Sequence, residues 1–311
     1  MKKVLIVGYG SIGRRHRRVL EESGLARKID VVSSRPHDGE EGLCRYPSLD
    51  ALQEPEAYDY FIVANETSRH HETLRELGEA VKGKTILVEK PLFHRFLPAP
   101  KKGTNRIFVA YNLRFHPVIE ALKREMEGER ILYANVLAGQ HLPDWRPERD
   151  YRKTYSASIA QGGGVLRDLS HELDYAAHLF GPLELFCAVN DKVSELEIES
   201  DDLFAAVGRG AEGAVVCLTM DYLSRKPMRR IVVHTNGATY EADLIASTLE
   251  VTEEEGRSRT LHFPCGRDET YEKMHKALLE KEGEGVCTLE EGLATLEIIE
   301  RYGYHAAKGE R

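Results

Sequence analysis

"VLIVGYGSIGRRHRRVLEESG", residues 4–24, decides the fold. Val4 to Val7 form an apolar run of strand length, after which Ile12, His16, Val19 and Leu20 recur at helical spacing until Gly24 ends the pattern. Between the two lies Gly8-Tyr9-Gly10-Ser11-Ile12-Gly13. A GxGxxG joining a strand to a helix is suited to an anion. Gly8 permits the tight turn, Gly10 lets backbone approach a pyrophosphate, and Gly13 lets the helix pack against the strand. The helix N-terminus attracts the negative charge. Residues 8–13, with Tyr9, Ser11 and Ile12 between the glycines, are therefore the first candidate cofactor-binding element.

Outward from this stretch, further apolar runs at 29–34, 58–65, 85–88 and 106–112, with a helical pattern at 68–81, predict a doubly wound parallel α/β sheet. Pro98, Pro100 and Gly103 leave only a short loop or a single turn between Pro91 and Arg106. After about residue 116 the pattern changes. A helix from Pro117, a strand over 131–139, and a helix from Val165 to Phe180 precede strands at 183–190, 202–208, 213–222, 228–236 and 238–243. Short turns between these strands predict an antiparallel sheet, and helices near 268–281 and 288–306 close the chain. The expected domains are 1–115, a dinucleotide-binding Rossmann domain, and 116–311, an α+β domain with an open, mostly antiparallel sheet.

Composition narrows the class. The chain has 311 residues, 41% hydrophobic and 30% charged, with net charge −8 and a pI near 5.9. That balance speaks against nucleic acid, which needs a clustered basic face. Arg14, Arg15, Arg17 and Arg18 form a local cluster, read as a solvated helix face or as help for a phosphate. No apolar run approaches the roughly 18 residues that span a bilayer, and Met1-Lys2-Lys3 leads directly into a strand rather than a signal peptide. Five scattered cysteines without a CxxC pair fit reduced thiols of a cytoplasmic protein.

Four other places carry chemistry. The second strand ends in Ser33-Ser34-Arg35 instead of the acid expected beside an NAD ribose, which favours NADP over NAD. "ANETSRHHE", 64–72, follows the third strand and puts Asn65, Glu66, Thr67 and His70 at the ligand end of the sheet, with helix capping by Thr67 or Ser68 as the plainer alternative. "TILVEKPLF", 85–93, ends a buried strand on Glu89, Lys90 and Pro91; an ammonium there can polarise a hydroxyl or carbonyl. "GGGVLRDLSHELD", 162–174, spaces Asp168, His171 and Asp174 three apart, as an oriented acid/base would be. With no completing cluster, a metal site is not expected.

Taken together, GYGSIG, EKP at 89–91, "YNLRFHP" at 111–117, the Gly-rich Asp/His block and the closing "EEGLATLEIIERYGYHAAKG" resemble the Gfo/Idh/MocA family (glucose–fructose oxidoreductase, inositol dehydrogenase, rhizopine catabolism). The resemblance implies a Rossmann domain followed by a domain whose free sheet face makes a homodimer or homotetramer. It implies hydride transfer between nicotinamide and a sugar-like alcohol or ketone. Carried onto this chain, Lys90 and His171 are catalytic and Asp168 accompanies them. Glu89 and Lys90 lie beside the cofactor, and Tyr111, Asn112 and Arg114 lie on the substrate side. One departure concerns Asp168: the family spacing is Asp-x-x-x-His, whereas here it is Asp-x-x-His, which turns the aspartate by about 100° on a regular helix. The loop "GQHLPDWRPERDYRKTYSASIAQGGG" is the expected specificity element. In it Trp145 and Tyr151 can stack on a sugar, and Arg146, with Arg149 and Arg152, can hold a carboxylate or phosphate. The same fold also admits imine or enone reduction, and a cofactor-sensing regulator without turnover.

Overall fold

The computed structural model describes residues 2–34 and 43–304. In chain order the elements are β1 (Lys2–Val7), α1 (Ser11–Glu22), β2 (Ala26–Val32), β3 (Arg45–Tyr46), β4 (Tyr60–Val63), α2 (His70–Ala80), β5 (Thr85–Val88) and β6 (Arg106–Val109). Next come α3 (Pro117–Glu125), β7 (Ile131–Gly139), α4 (Val165–Asp168), α5 (His171–Phe180), β8 (Glu184–Asp191), β9 (Leu203–Arg209) and β10 (Val215–Asp221). The chain closes with β11 (Met228–Thr235), β12 (Ala238–Asp243), β13 (Thr248–Glu253), β14 (Ser258–His262), α6 (Glu269–Glu280), β15 (Cys287–Thr288) and α7 (Leu289–Arg301).

The chain forms two compact units, 1–115 with 266–297, and 116–265 with 298–311. The expected second domain, 116–311, is thus divided: α6 and β15 return to the first unit. Neither carries a sequence mark of where it docks, since an amphipathic helix states only that it has a buried side.

In the first unit the sheet order is β15-β6-β5-β4-β1-β2-β3. Its pairs are parallel except β15 on β6. Val4 to Val7 are buried because β1 is central, and alternate residues feed opposite faces. Val4 and Ile6 pack with Leu20 of α1 and Met274 of α6; Leu5 and Val7 pack with Leu74 of α2 and Leu296 of α7. Strand order reverses at β1, between β2 and β4, which is where open α/β sheets bind ligands. The segment between Pro91 and Arg106 contains no helix.

In the second unit the sheet order is β14-β13-β12-β11-β7-β10-β9-β8. The hairpin rule predicts antiparallel neighbours, and all are except β10, which runs parallel to β7. The β9–β10 hairpin enters beside β7 instead of extending the far edge. Burial alternates along β7, β10 and β11, with Val136, Leu218 and Ile231 facing the packed side. The opposite face stays open at Val189 and Val207, 51% and 42% exposed. Strand β14 escapes sequence reading because its pattern is polar and largely exposed, whereas β13 does alternate, with Leu249 and Val251 inward.

Among the described residues, no helix is long and apolar enough to cross a membrane. The five cysteines are free thiols.

Candidate functional site

The glycine-rich loop follows β1 as the fold requires. Gly8 has φ +97°, and a Cβ there would overlap the Asn65 backbone; a Cβ on Gly13 would overlap the Gly8 carbonyl. Those two glycines are demanded by the chain's own packing. Gly10 is not, since a Cβ there would meet nothing within 4 Å. It is the N-cap of α1, no side chain caps it, and the first turn holds no acid. The amides of Ser11, Ile12 and Gly13 precede the first helical bond, Arg14 N to Gly10 O. This uncapped terminus and open glycine fit a pyrophosphate. Tyr9 is buried, and its hydroxyl accepts from Arg17 at 2.7 Å. Ile12 packs partly against the core.

At the end of β2, Ser33 is half-buried and Ser34 exposed, with no carboxylate in either position; Arg35 lies outside the described residues. Arg45, in β3, donates to the Ser33 carbonyl at 2.8 Å. Sequence reading missed this cation because a two-residue strand has no periodicity.

Beyond β4, Glu66 is exposed and Thr67 begins a 3-10 turn before α2, whose N-terminus neither Thr67 nor Ser68 caps. Asn65 turns inward, donating to Thr73 Oγ1 at 2.9 Å. His70, expected toward the cofactor, is instead buried. Its ring nitrogens lie 3.1 Å from the carbonyl oxygens of Leu92 and Asn65, and a neutral ring donates to one of the two. Burial pushes its imidazole below the ordinary range.

Lys90 stands at the end of β5, partly exposed, and the Lys90–Pro91 peptide is cis. Glu89 beside it is buried; one carboxylate oxygen lies 2.8 Å from His16 Nε2, and the other accepts the Lys90 amide at 3.1 Å. The three substrate-side candidates after β6 are committed elsewhere. Tyr111 is core, Asn112 donates to Thr270 at 2.6 Å, and buried Arg114 donates to the Glu291 carboxylate at 3.0 and 3.1 Å. "YNLRFHP" thus serves the packing of this unit: residues so enclosed offer little surface to a ligand.

In the second unit the expected 165–180 helix is broken. α4 ends at Asp168, Leu169 leaves helical geometry, and α5 restarts at His171. The short Asp-x-x-His spacing therefore does not lie on one regular helix. Asp168 Oδ2 accepts from Ser156 Oγ at 2.6 Å and from Tyr222 at 2.7 Å. The glycines before it serve internal packing: a Cβ on Gly163 would strike residues 155 and 156, and one on Gly164 would strike Asp201. Asp201 Oδ2 accepts the Leu166 amide at 3.0 Å, and burial pushes its carboxyl up to about 6.

The 141–161 loop folds into short 3-10 turns around a small, open hollow lined by Trp145, Arg146, Tyr151, Tyr155 and Ser156 among others. Sequence reading named the first three; the structure brings them together and adds Tyr155. Trp145 is held by donation to the Gln140 carbonyl at 3.0 Å and by an edge contact with Tyr222 at 5.2 Å. The hollow is thereby linked through Ser156 and Tyr222 to Asp168. Of the loop arginines only Arg146 lines it; Arg152 pairs with Asp150 and Glu197 in solvent. Among the described residues no group of His, Cys, Asp and Glu is placed to hold a metal ion.

Fold and loop together define a dinucleotide-binding oxidoreductase. Residues 2–99 match the NAD-binding Rossmann fold of the GFO/IDH/MocA oxidoreductase family, and residues 130–241 match that family's C-terminal domain. The chain belongs to this family and is an NAD(P)-dependent oxidoreductase. No curated protein sequence matches it. Among solved structures it is similar to levoglucosan dehydrogenase in complex with NADH, at TM-score 0.81 and 19% identity over 97% of this chain and 95% of that one. UDP-N-acetylglucosamine 3-dehydrogenase GnnA from Acidithiobacillus ferrooxidans gives 0.74 and 18%, over 97% and 96%. The WlbA dehydrogenase from Bordetella pertussis, in complex with NADH and UDP-GlcNAcA, gives 0.75 and 18%, over 96% and 95%.

Proposed function

We propose that this enzyme transfers a hydride between NADP(H), in preference to NAD(H), and a secondary hydroxyl of an acidic or nucleotide-linked sugar. The hollow carries the reading: aromatic Trp145, Tyr151 and Tyr155 suit a sugar face, while Arg146 suits a carboxylate or phosphate. The substrates and ligands in the names of GnnA and WlbA are sugars of this kind. The nicotinamide supplies the hydride chemistry. In this reading His171 is the group that exchanges the hydroxyl proton, Lys90 is the cation that stabilises developing negative charge, and Asp168 fixes the turn that carries His171.

Preference for NADP is supported by Ser33 and Ser34 standing where an acid would repel a 2′-phosphate, with Arg45 beside them. The open sheet face, bearing Val189 and Val207, is assigned to a second copy of the chain, in the cytoplasm. Sedimentation at micromolar concentration should show a dimer or tetramer, and Val207→Lys should weaken it. The deciding experiment follows absorbance at 340 nm with neutral sugars, uronic acids and nucleotide-linked sugars. Turnover of an acidic or nucleotide-linked sugar, lost in Arg146→Ala, is expected; turnover of neutral sugars alone would overturn the substrate class.

A further inference from the structure

Four buried polar groups in the first unit form a chain that the reaction above does not use. Tyr60 from β4 lies 2.9 Å from His275 Nδ1 on α6, and His275 Nε2 lies 3.0 Å from His16 Nδ1 on α1. His16 Nε2 lies 2.8 Å from Glu89 Oε1, and Glu89 Oε2 accepts the Lys90 amide. Tyr60, His16 and His275 are wholly shielded from water. Sequence reading counted His16 only as one of the inward residues of α1.

Hydrogen-bond counting gives the chain a direction. Facing a carboxylate, His16 Nε2 must carry a proton, so on a neutral ring Nδ1 accepts. His275 Nε2 must then donate and its Nδ1 accept, which leaves Tyr60 as the final donor. All donors and acceptors in the row are satisfied with both imidazoles neutral. Burial, with His16 beside it, holds His275 well below the ordinary imidazole range, and burial with Glu89 nearby holds the Tyr60 phenol well above its own. The opposite order requires either a proton on Glu89 or an imidazolium at His16, and leaves the Tyr60 hydroxyl without His275 as an acceptor. Two imidazoles in an apolar core cost more than two leucines would. The row ends at the carboxylate that fixes the backbone of Lys90.

We propose that the Tyr60–His275–His16 row is a one-way donor relay that locks the Glu89 carboxylate and through it positions Lys90, making His16 and Glu89 positioning residues. The kinetic half rests on the oxidoreductase reading above; the proton order does not.

The test has two arms. Long-range proton–nitrogen correlation on histidine-labelled protein at pH 7.5, assigned with His16→Gln and His275→Gln, should show both rings protonated at Nε2. An Nδ1–H ring at either position would overturn the relay. In the second arm His16→Leu should lower kcat at least tenfold with the NADPH dissociation constant within threefold. His16→Gln, which keeps an N–H donor toward Glu89, should recover kcat to within threefold of wild type. If both variants lower Tm but leave kcat of the folded enzyme unchanged, the histidines are packing only and the positioning role falls. If His16→Leu does not fold, Tyr60→Phe replaces it: because Glu89 sets the order, both rings should keep their Nε2 proton without the terminal donor, and an Nδ1–H tautomer at His275 would overturn the directed row. If wild type oxidises none of the sugars, the oxidoreductase substrate reading fails and the tautomers alone decide the relay.

Discussion

In the first unit the buried carboxylate of Glu89 meets an imidazole row supplied by β4, α1 and α6; in the second, that of Asp168 meets two hydroxyls, from the 141–161 loop and from Tyr222 just beyond β10. Each carboxylate stands next to a candidate basic group in sequence, Lys90 in one case and His171 in the other. Each also meets a side chain from a distant element, His16 for Glu89 and Tyr222 for Asp168. The difference lies in what the donors can do. A hydroxyl rotates and ends a network, whereas an imidazole passes a hydrogen bond from one nitrogen to the other and can extend it across a core. Asp201 makes a third case: it accepts a backbone amide, and burial dominates its titration.

The sharpest break of this comparison is at the basic groups themselves. Lys90→Ala should cut kcat roughly a thousandfold, while NADPH binding measured by fluorescence stays within threefold. Unchanged turnover would leave the Glu89 network with nothing to position.

Next in size is the carboxylate without side-chain donors. Because the folded Asp201 carboxyl titrates near 6, above its unfolded value, the native state holds the extra proton between these limits, and stability falls as pH rises through that window. Relative to Asp201→Asn, wild type should lose on the order of 3 kcal/mol between pH 4 and pH 7. Parallel urea-unfolding curves for the two proteins across that range would contradict the assignment.

A smaller effect separates the glycines. Gly13→Ala drives a methyl into the Gly8 carbonyl and should cost about 2 kcal/mol of stability. Gly10→Ala points into open space, so its Tm should hold while cofactor affinity drops. Equal thermal stability of the two variants would remove the distinction between a packing glycine and a ligand glycine. Smallest is Ser33→Asp, which should move the NADP/NAD ratio of kcat/KM toward NAD by about tenfold, or about 1.4 kcal/mol. An unmoved ratio would place the 2′-phosphate elsewhere.

Much of this was legible beforehand, and the exceptions have a common cause. The β1–α1 turn, Lys90 at the end of β5 and the aromatic set Trp145, Arg146, Tyr151 were visible because each is local: a strand, a turn or a loop states its own chemistry within a few residues. The burial of His70 was not legible, because a histidine at a strand's carboxyl end reads the same whether it faces a ligand or packs between loops. The packing of Asn112 and Arg114 was not legible, because their partners Thr270 and Glu291 lie more than 150 residues away. The helix break between Asp168 and His171 has no proline or glycine to announce it.

The amino-acid order alone determined the Rossmann half, the dinucleotide loop and the family, because periodicity and glycine placement act over short range. Tertiary structure alone decided that α6 completes the first unit and brings His275 to His16, that Asp168 is held by Ser156 and Tyr222, and that β10 runs parallel to β7. Those outcomes depend on which distant surfaces bury each other, and a one-dimensional pattern records that a side chain goes inside without recording what it meets there.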